Sequence, residues 1–178
     1  MSSMGLSGLT YHTLSKMFAE GKRFDGRKLL EQRDFTVEYN VSNKAEGSAR
    51  VRMGKTDVVV GVKLEVGTPY PDSLDKGNLM VSGDLLPLAS PRFESGPPKF
   101  NAIELPRLID RMVRESHVID LKKLVITKEE KVWAVIIDIY PLNDDGALID
   151  AASIGTIAAL LQTHIPNLDE NGRIDHES

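Results

Sequence analysis

The 178-residue chain contains no cysteine. That excludes disulfides and thiolate metal sites, and it agrees with an intracellular protein. No apolar run reaches the roughly 18 residues of a membrane span. The N-terminus, MSSMGLSGLTYHTLSK, lacks the charged start and apolar block of a signal peptide. Together these absences predict a cytoplasmic protein with no membrane partner. Three nucleotide and hydrolase signatures are also missing: a Walker-type loop, a dinucleotide fingerprint and a nucleophile elbow. His12, His117, His164 and His176 have no metal-ligand spacing, so ordinary surface or core roles are expected. No cofactor or metal is predicted.

An excess of positive charge is absent too. Lys and Arg total 22 against 26 Asp and Glu, a net charge of −4. A protein that binds nucleic acid by bulk charge is therefore excluded. The distribution is uneven: residues 1–53 hold nine Lys/Arg and six Asp/Glu, residues 121–178 five and ten. Any nucleic-acid contact has to come from a placed cluster.

What is present is an ordered series of elements. Leu9 to Glu20 has helical periodicity, with Leu14, Met17 and Phe18 on one face and Gly21 as its stop. Phe24-Asp25-Gly26-Arg27 reads as a turn. Phe35 to Val41 alternates as a half-buried strand does. Ser48–Met53 and Asp57–Val66 follow as a hairpin around Gly54-Lys55-Thr56. The run Val58-Val59-Val60-Gly61-Val62 predicts a strand covered on both faces. Asn78 to Leu86 is a further strand. Pro87 to Lys99, with four prolines, is predicted irregular. Leu124–Thr127 and Val132–Tyr140 form a second hairpin around Lys128–Lys131. Ala147 to Leu161 is small and apolar almost all round, the pattern of a buried central helix. Asp144 and Asp145 precede it; they suit a helix cap or, less well, a Mg²⁺ ion. Grouped strands and helices give the α+β class.

The segment ASPRFESGPPKFNAIELPRLIDRMVRES (89–116) is the most informative. At 100° per residue, Leu105, Leu108, Ile109 and Met112 share one helix face, and Arg107, Arg111 and Arg114 another. Two readings fit. The arginines form a solvated face, with Asp110 reaching Arg107 and Arg114, and Glu115 reaching Arg111. Or they grip a row of phosphates, for which planar, permanently charged guanidinium forks are suited. Pro106 lies inside this pattern and lacks an N–H. A helix beginning after it would change the aim of Arg107.

The series Phe24-Asp25-Gly26-Arg27, Ala45-Glu46-Gly47-Ser48-Ala49, Pro87-Leu88-Ala89-Ser90-Pro91, Gly96-Pro97-Pro98, Ala102-Ile103-Glu104-Leu105 and Asn143-Asp144-Asp145-Gly146-Ala147 resembles the RNase PH family. Within it, the chain is most similar to the non-catalytic RNase PH-like subunits of the archaeal exosome, from about Leu14 to Pro166. The resemblance implies a fold like ribosomal protein S5 domain 2, a mixed sheet with helices packed on it. It divides the chain into an N-terminal helix and extension (1–23), an RNase PH-like domain (24–166) and a polar tail expected to be disordered (167–178). It implies a role in 3′-to-5′ degradation of single-stranded RNA by phosphorolysis. The implied partners are a catalytic paralogue, in a six-membered ring with three of each, and RNA-binding cap subunits. Catalytic relatives carry an arginine pair where Phe100 and Asn101 stand, and a Gly-Ser-Arg phosphate site where Ala147, Leu148 and Ile149 stand. The chain is therefore expected to be inert alone. In the non-catalytic subunits an arginine pair grips RNA at the positions of Arg107 and Arg111, which favours the phosphate reading for these two. Arg114 stays open between the two readings. The resembled subunits also have a second, related domain that these residues do not contain, so helix 147–161 is expected to show an uncovered face. An active phosphorolytic exoribonuclease and a plain S5-like scaffold remain the alternatives.

Overall fold

A computed structural model of the chain describes residues 8–169 and residue 174. Two compact units divide at Asp34 and Phe35. In the first unit, α1 spans Gly8–Ala19. Its last turn closes with Gly21 at φ +70°, whose N–H donates to the Phe18 carbonyl while that of Lys22 reaches Met17. Leu14 and Met17 are half-buried, but Phe18 is exposed, so the expected three-residue face narrows to two. Gly26 turns the chain at φ +81°, and Arg23 and Arg27 tie the following loop by donating to the Glu31 carbonyl.

The second unit contains β1 (Phe35–Tyr39), β2 (Gly47–Met53), β3 (Thr56–Gly67), β4 (Asn78–Gly83), α2 (Phe100–Glu115), a 3₁₀ turn (Leu121–Leu124), β5 (Val125–Thr127), β6 (Lys131–Asn143) and α3 (Leu148–Gln162). The strand order is β1-β2-β3-β6-β4, with β5 on β6. β4 runs parallel to β6 and the other pairs are antiparallel, so the sheet is mixed and the α+β expectation holds.

Register explains the core. Val51 lies opposite Val58, Ala49 opposite Val60, and Val60 opposite Ile139. All are fully buried on one face of the sheet, where α2 and α3 pack. The opposite face carries Arg50, Arg52, Asp57, Lys63 and Tyr140, half-exposed or exposed. The expectation that β3 is covered on both faces is therefore corrected. Val59 and Gly61 look apolar in sequence, yet they sit on the open face among charged neighbours.

α3 is the central helix the composition predicts. Ala151, Ala152, Gly155, Thr156, Ala158 and Ala159 are buried against the sheet, and the small side chains let the backbones approach closely. A Cβ on Gly155 would stand 2.9 Å from Val60 Cγ2. Its other side is only partly covered, with Ile149 and Leu161 exposed.

α2 begins at Phe100 and continues through Pro106, which corrects the later start considered from sequence. Leu105, Ile109 and Val113 anchor it in the core; each such burial contributes about 1.5–3 kcal/mol. Leu108, expected on this face, is exposed. Among the described residues no helix is long and apolar enough to cross a membrane. Leu168 and Ile174 form an isolated antiparallel bridge and pack, partly buried, against the core. The tail expectation for residues 170–173 and 175–178 lies outside the described residues.

Candidate RNA-binding face

The irregular 87–99 loop is held at defined points. Phe93 is buried beneath it, and the Ala89 carbonyl accepts from Asp144 N–H at 2.8 Å. Arg92 Nη2 donates to Asp144 Oδ2 at 2.8 Å, and Asp144 Oδ1 accepts from Gly146 N–H at 3.0 Å. Asp144 is thereby fully engaged. Its neighbours are engaged as well: Thr56 Oγ1 donates to the Gly146 carbonyl at 2.6 Å and accepts from Asp145 N–H at 2.9 Å. The cap expectation is corrected, since α3 has no side-chain cap and starts after Ala147 in left-handed backbone, φ 56°. The carboxylate instead pins one loop to another. Among the described residues no acidic or histidine cluster could hold a metal ion.

At the start of α3, Leu148 is half-buried and Ile149 exposed. Neither side chain can donate to an anion, so the helix N-terminus is left with backbone N–H groups alone. Phe100 and Asn101 are both exposed in the first turn of α2. Beside them Lys99 pairs with Glu94, and this ammonium holds the Glu94 carboxyl below its ordinary range.

α2 and the end of β4 enclose an open groove of about 520 Å³. Ser82, Gly83 and Asp84 form one wall, and Ile103, Pro106, Arg107 and Arg111 the other. Arg107 and Arg111 are exposed one helical turn apart, and neither has a hydrogen-bond or ion-pair partner among the described residues. The two ion pairs considered for them, with Asp110 and with Glu115, do not form. Asp110 turns to Arg114 instead, at 2.8 Å from its Nε. Arg114 Nη2 also donates to the Leu79 carbonyl at 2.8 Å, which ties α2 to β4. So the three arginines separate into a free pair and a latched third. Asp84 is the one acidic group of the groove without a side-chain partner, and its exposure leaves it well hydrated.

Sequence reasoning missed the Arg92–Asp144 bridge. The partners are 52 positions apart, and no local pattern brings them together.

Similarity to known proteins fits this geometry. The chain is 57% identical over 148 residues to exosome complex component Rrp42 of Methanocella arvoryzae, covering 83% of this chain and 57% of that protein. It is 54% identical over 151 residues to the same component of Methanosarcina acetivorans, covering 85% and 57%. A solved structure of the Archaeoglobus fulgidus exosome with RNA bound to the active site contains a chain that superposes with a TM-score of 0.84 at 50% identity, over 87% of this chain and 61% of that one. The chain thus spans under two thirds of the length of these relatives, and over that span it shares their mixed-sheet fold. Residues 31–166 match the model of the 3′ exoribonuclease family, domain 1, and on that match the chain belongs to the RNase PH family.

Proposed function

We propose that this chain is a non-catalytic, RNA-gripping subunit of an archaeal-type exosome ring, working in the cytoplasm. Residues 24–166 form its RNase PH-like domain and 167–178 its tail. Its partners are a catalytic paralogue, three of each in a ring, together with RNA-binding cap subunits. The ring degrades single-stranded RNA 3′-to-5′ by phosphorolysis. The observation that carries this reading is the unpartnered pair Arg107 and Arg111 on the wall of the α2–β4 groove. Free guanidinium groups one turn apart can each take a phosphate oxygen without first breaking an ion pair. Phosphate contacts position an RNA strand but read no bases, so binding without sequence preference follows.

The inactive character of the subunit rests on the start of α3. Leu148 and Ile149 offer no side-chain donor for an attacking phosphate. The test is an assay of the chain with single-stranded RNA and inorganic phosphate, alone and with a catalytic RNase PH-like subunit. Nucleoside diphosphates should be released only with the partner. Their release by the chain alone contradicts the non-catalytic assignment.

A further inference from the structure

The face of α2 that carries Arg107 and Arg111 does not end at the first groove. Arg114 is seven residues beyond Arg107, about 10 Å further along the axis. It lines a second cleft of about 620 Å³, between the end of α2, the 3₁₀ turn and the loop before β4. Lys76, His117 and Lys122 line it with Arg114, and Tyr70 stands at its edge, half-exposed. The ammonium groups of Lys76 and Lys122 have no ion-pair partner among the described residues. Asp120 is the single carboxylate lining the cleft. It is already occupied: Oδ1 accepts from Lys122 N–H at 3.1 Å, and Oδ2 lies 4.0 Å from Lys123 Nζ. Arg114 is held by Asp110 and by the Leu79 carbonyl, and its Nη1 group has no partner among the described residues. In a chain of net charge −4, this is a local concentration of positive charge placed from three separate elements.

We propose that this cleft is a second phosphodiester-binding subsite, which extends the RNA path begun by Arg107 and Arg111. The inference rests on the RNA-contact reading of those two arginines. The ligand chemistry is a phosphate oxyanion. The cleft is far larger than one inorganic phosphate needs, and its Arg114 follows Arg107 and Arg111 on one helix face, paired with Asp110 of the first groove, which points to a strand of linked phosphates. Tyr70 offers a ring face on which an unpaired base can stack.

The experiment measures binding of single-stranded RNA to the full chain, alone and mixed with a catalytic RNase PH-like subunit. A short oligonucleotide that fills only the first groove is compared with a longer one. Lys76→Ala/Lys122→Ala should weaken the longer RNA about tenfold, and flatten its salt dependence by roughly 0.7 per lost contact. The short RNA should bind as before. Arg107→Ala/Arg111→Ala should weaken both lengths. If the lysine variant binds long RNA normally while the arginine variant is impaired, the second subsite is wrong and the first stands. If the arginine variant binds normally, or the unmodified chain binds no RNA in either setting, the underlying reading fails and takes this one with it. Inorganic phosphate that displaces long RNA from the unmodified protein as poorly as chloride does, at equal ionic strength, supports the subsite. Selective displacement by phosphate would overturn it in favour of a free-phosphate site.

Discussion

Single residues here differ in what holds them, and that decides what their loss does. Arg107 and Arg111 support nothing in the fold, so replacing either by Ala should leave stability within about 0.5 kcal/mol. RNA binding should fall by about 1–3 kcal/mol per arginine, equally for different RNA sequences. Arg→Lys should keep the salt dependence but not the full affinity, because an ammonium cannot make the planar fork. Normal binding by the double Ala variant, checked by fluorescence anisotropy, returns these residues to the solvated-face reading. Asp57 is the opposite case. Arg50 donates to it through Nε at 2.9 Å and Nη2 at 2.7 Å, and this guanidinium holds the Asp57 carboxyl below its ordinary range. A depressed carboxylate stabilises the fold above its unfolded value, and that contribution is lost as pH falls through the folded value. Asp57→Asn should therefore cost about 1 kcal/mol at neutral pH. The gap to the unmodified protein should close as pH drops below about 3.9. A gap that is constant across that range in denaturant titrations rejects the linkage.

At the scale of elements, α2 and the β2–α3 junction carry the testable constraints. Pro106 sits in mid-helix, where it removes the N–H that would bond the Ala102 carbonyl. Pro106→Ala restores that donor and should raise stability by roughly 1–2 kcal/mol, less than the full proline penalty because the half-buried ring gives up its own contacts. No rise in thermal midpoint would mean that the helix has already absorbed the proline. Gly47 is the reverse. A Cβ there would collide with Thr163 Oγ1 and the Ala159 carbonyl oxygen. Gly47→Ala should cost about 1–3 kcal/mol, as overpacking against backbone does. Elements with local signals were legible in sequence: the β2–β3 hairpin through its turn, and α2 through Leu105 and Ile109. The arginine stripe was legible as spacing, but not the fact that Asp110 engages Arg114 and leaves the other two free. That choice depends on the Leu79 carbonyl of β4, which latches Arg114 from another element. The parallel pairing of β4 with β6 was equally hidden, because Met80 meets Ile136 with α2, the 3₁₀ turn and β5 between them. The run Val58–Val62 misled for a related reason: residue type does not say which face a sheet leaves open.

For the molecule as a whole, charge and uncovered apolar surface bear on the proposed assembly. At net charge −4 the isolated chain has little long-range attraction for RNA, so on the proposed reading the arginine pair needs a partner that confines the strand beside it. Part of the apolar surface left outside the core lies on α3 and just beyond it. Ile149 is 43% exposed, Ile165 56% and Leu161 71%, while the helix's other side is sealed against the sheet. On the proposed assembly, this part of α3 is a surface that the partner covers. The expected outcome is that the chain, mixed with a catalytic RNase PH-like subunit, forms a larger species in sizing with light scattering. Ile149→Glu/Leu161→Glu changes two exposed positions and none of the residues buried against the sheet, so the fold should hold to within about 1 kcal/mol. Assembly should nevertheless be lost, because charge would be buried without a partner. If the double variant still assembles, α3 contributes nothing to the interface. If the unmodified chain stays monomeric beside every such partner, the ring assignment itself is wrong, and the free arginines need another source of confined RNA.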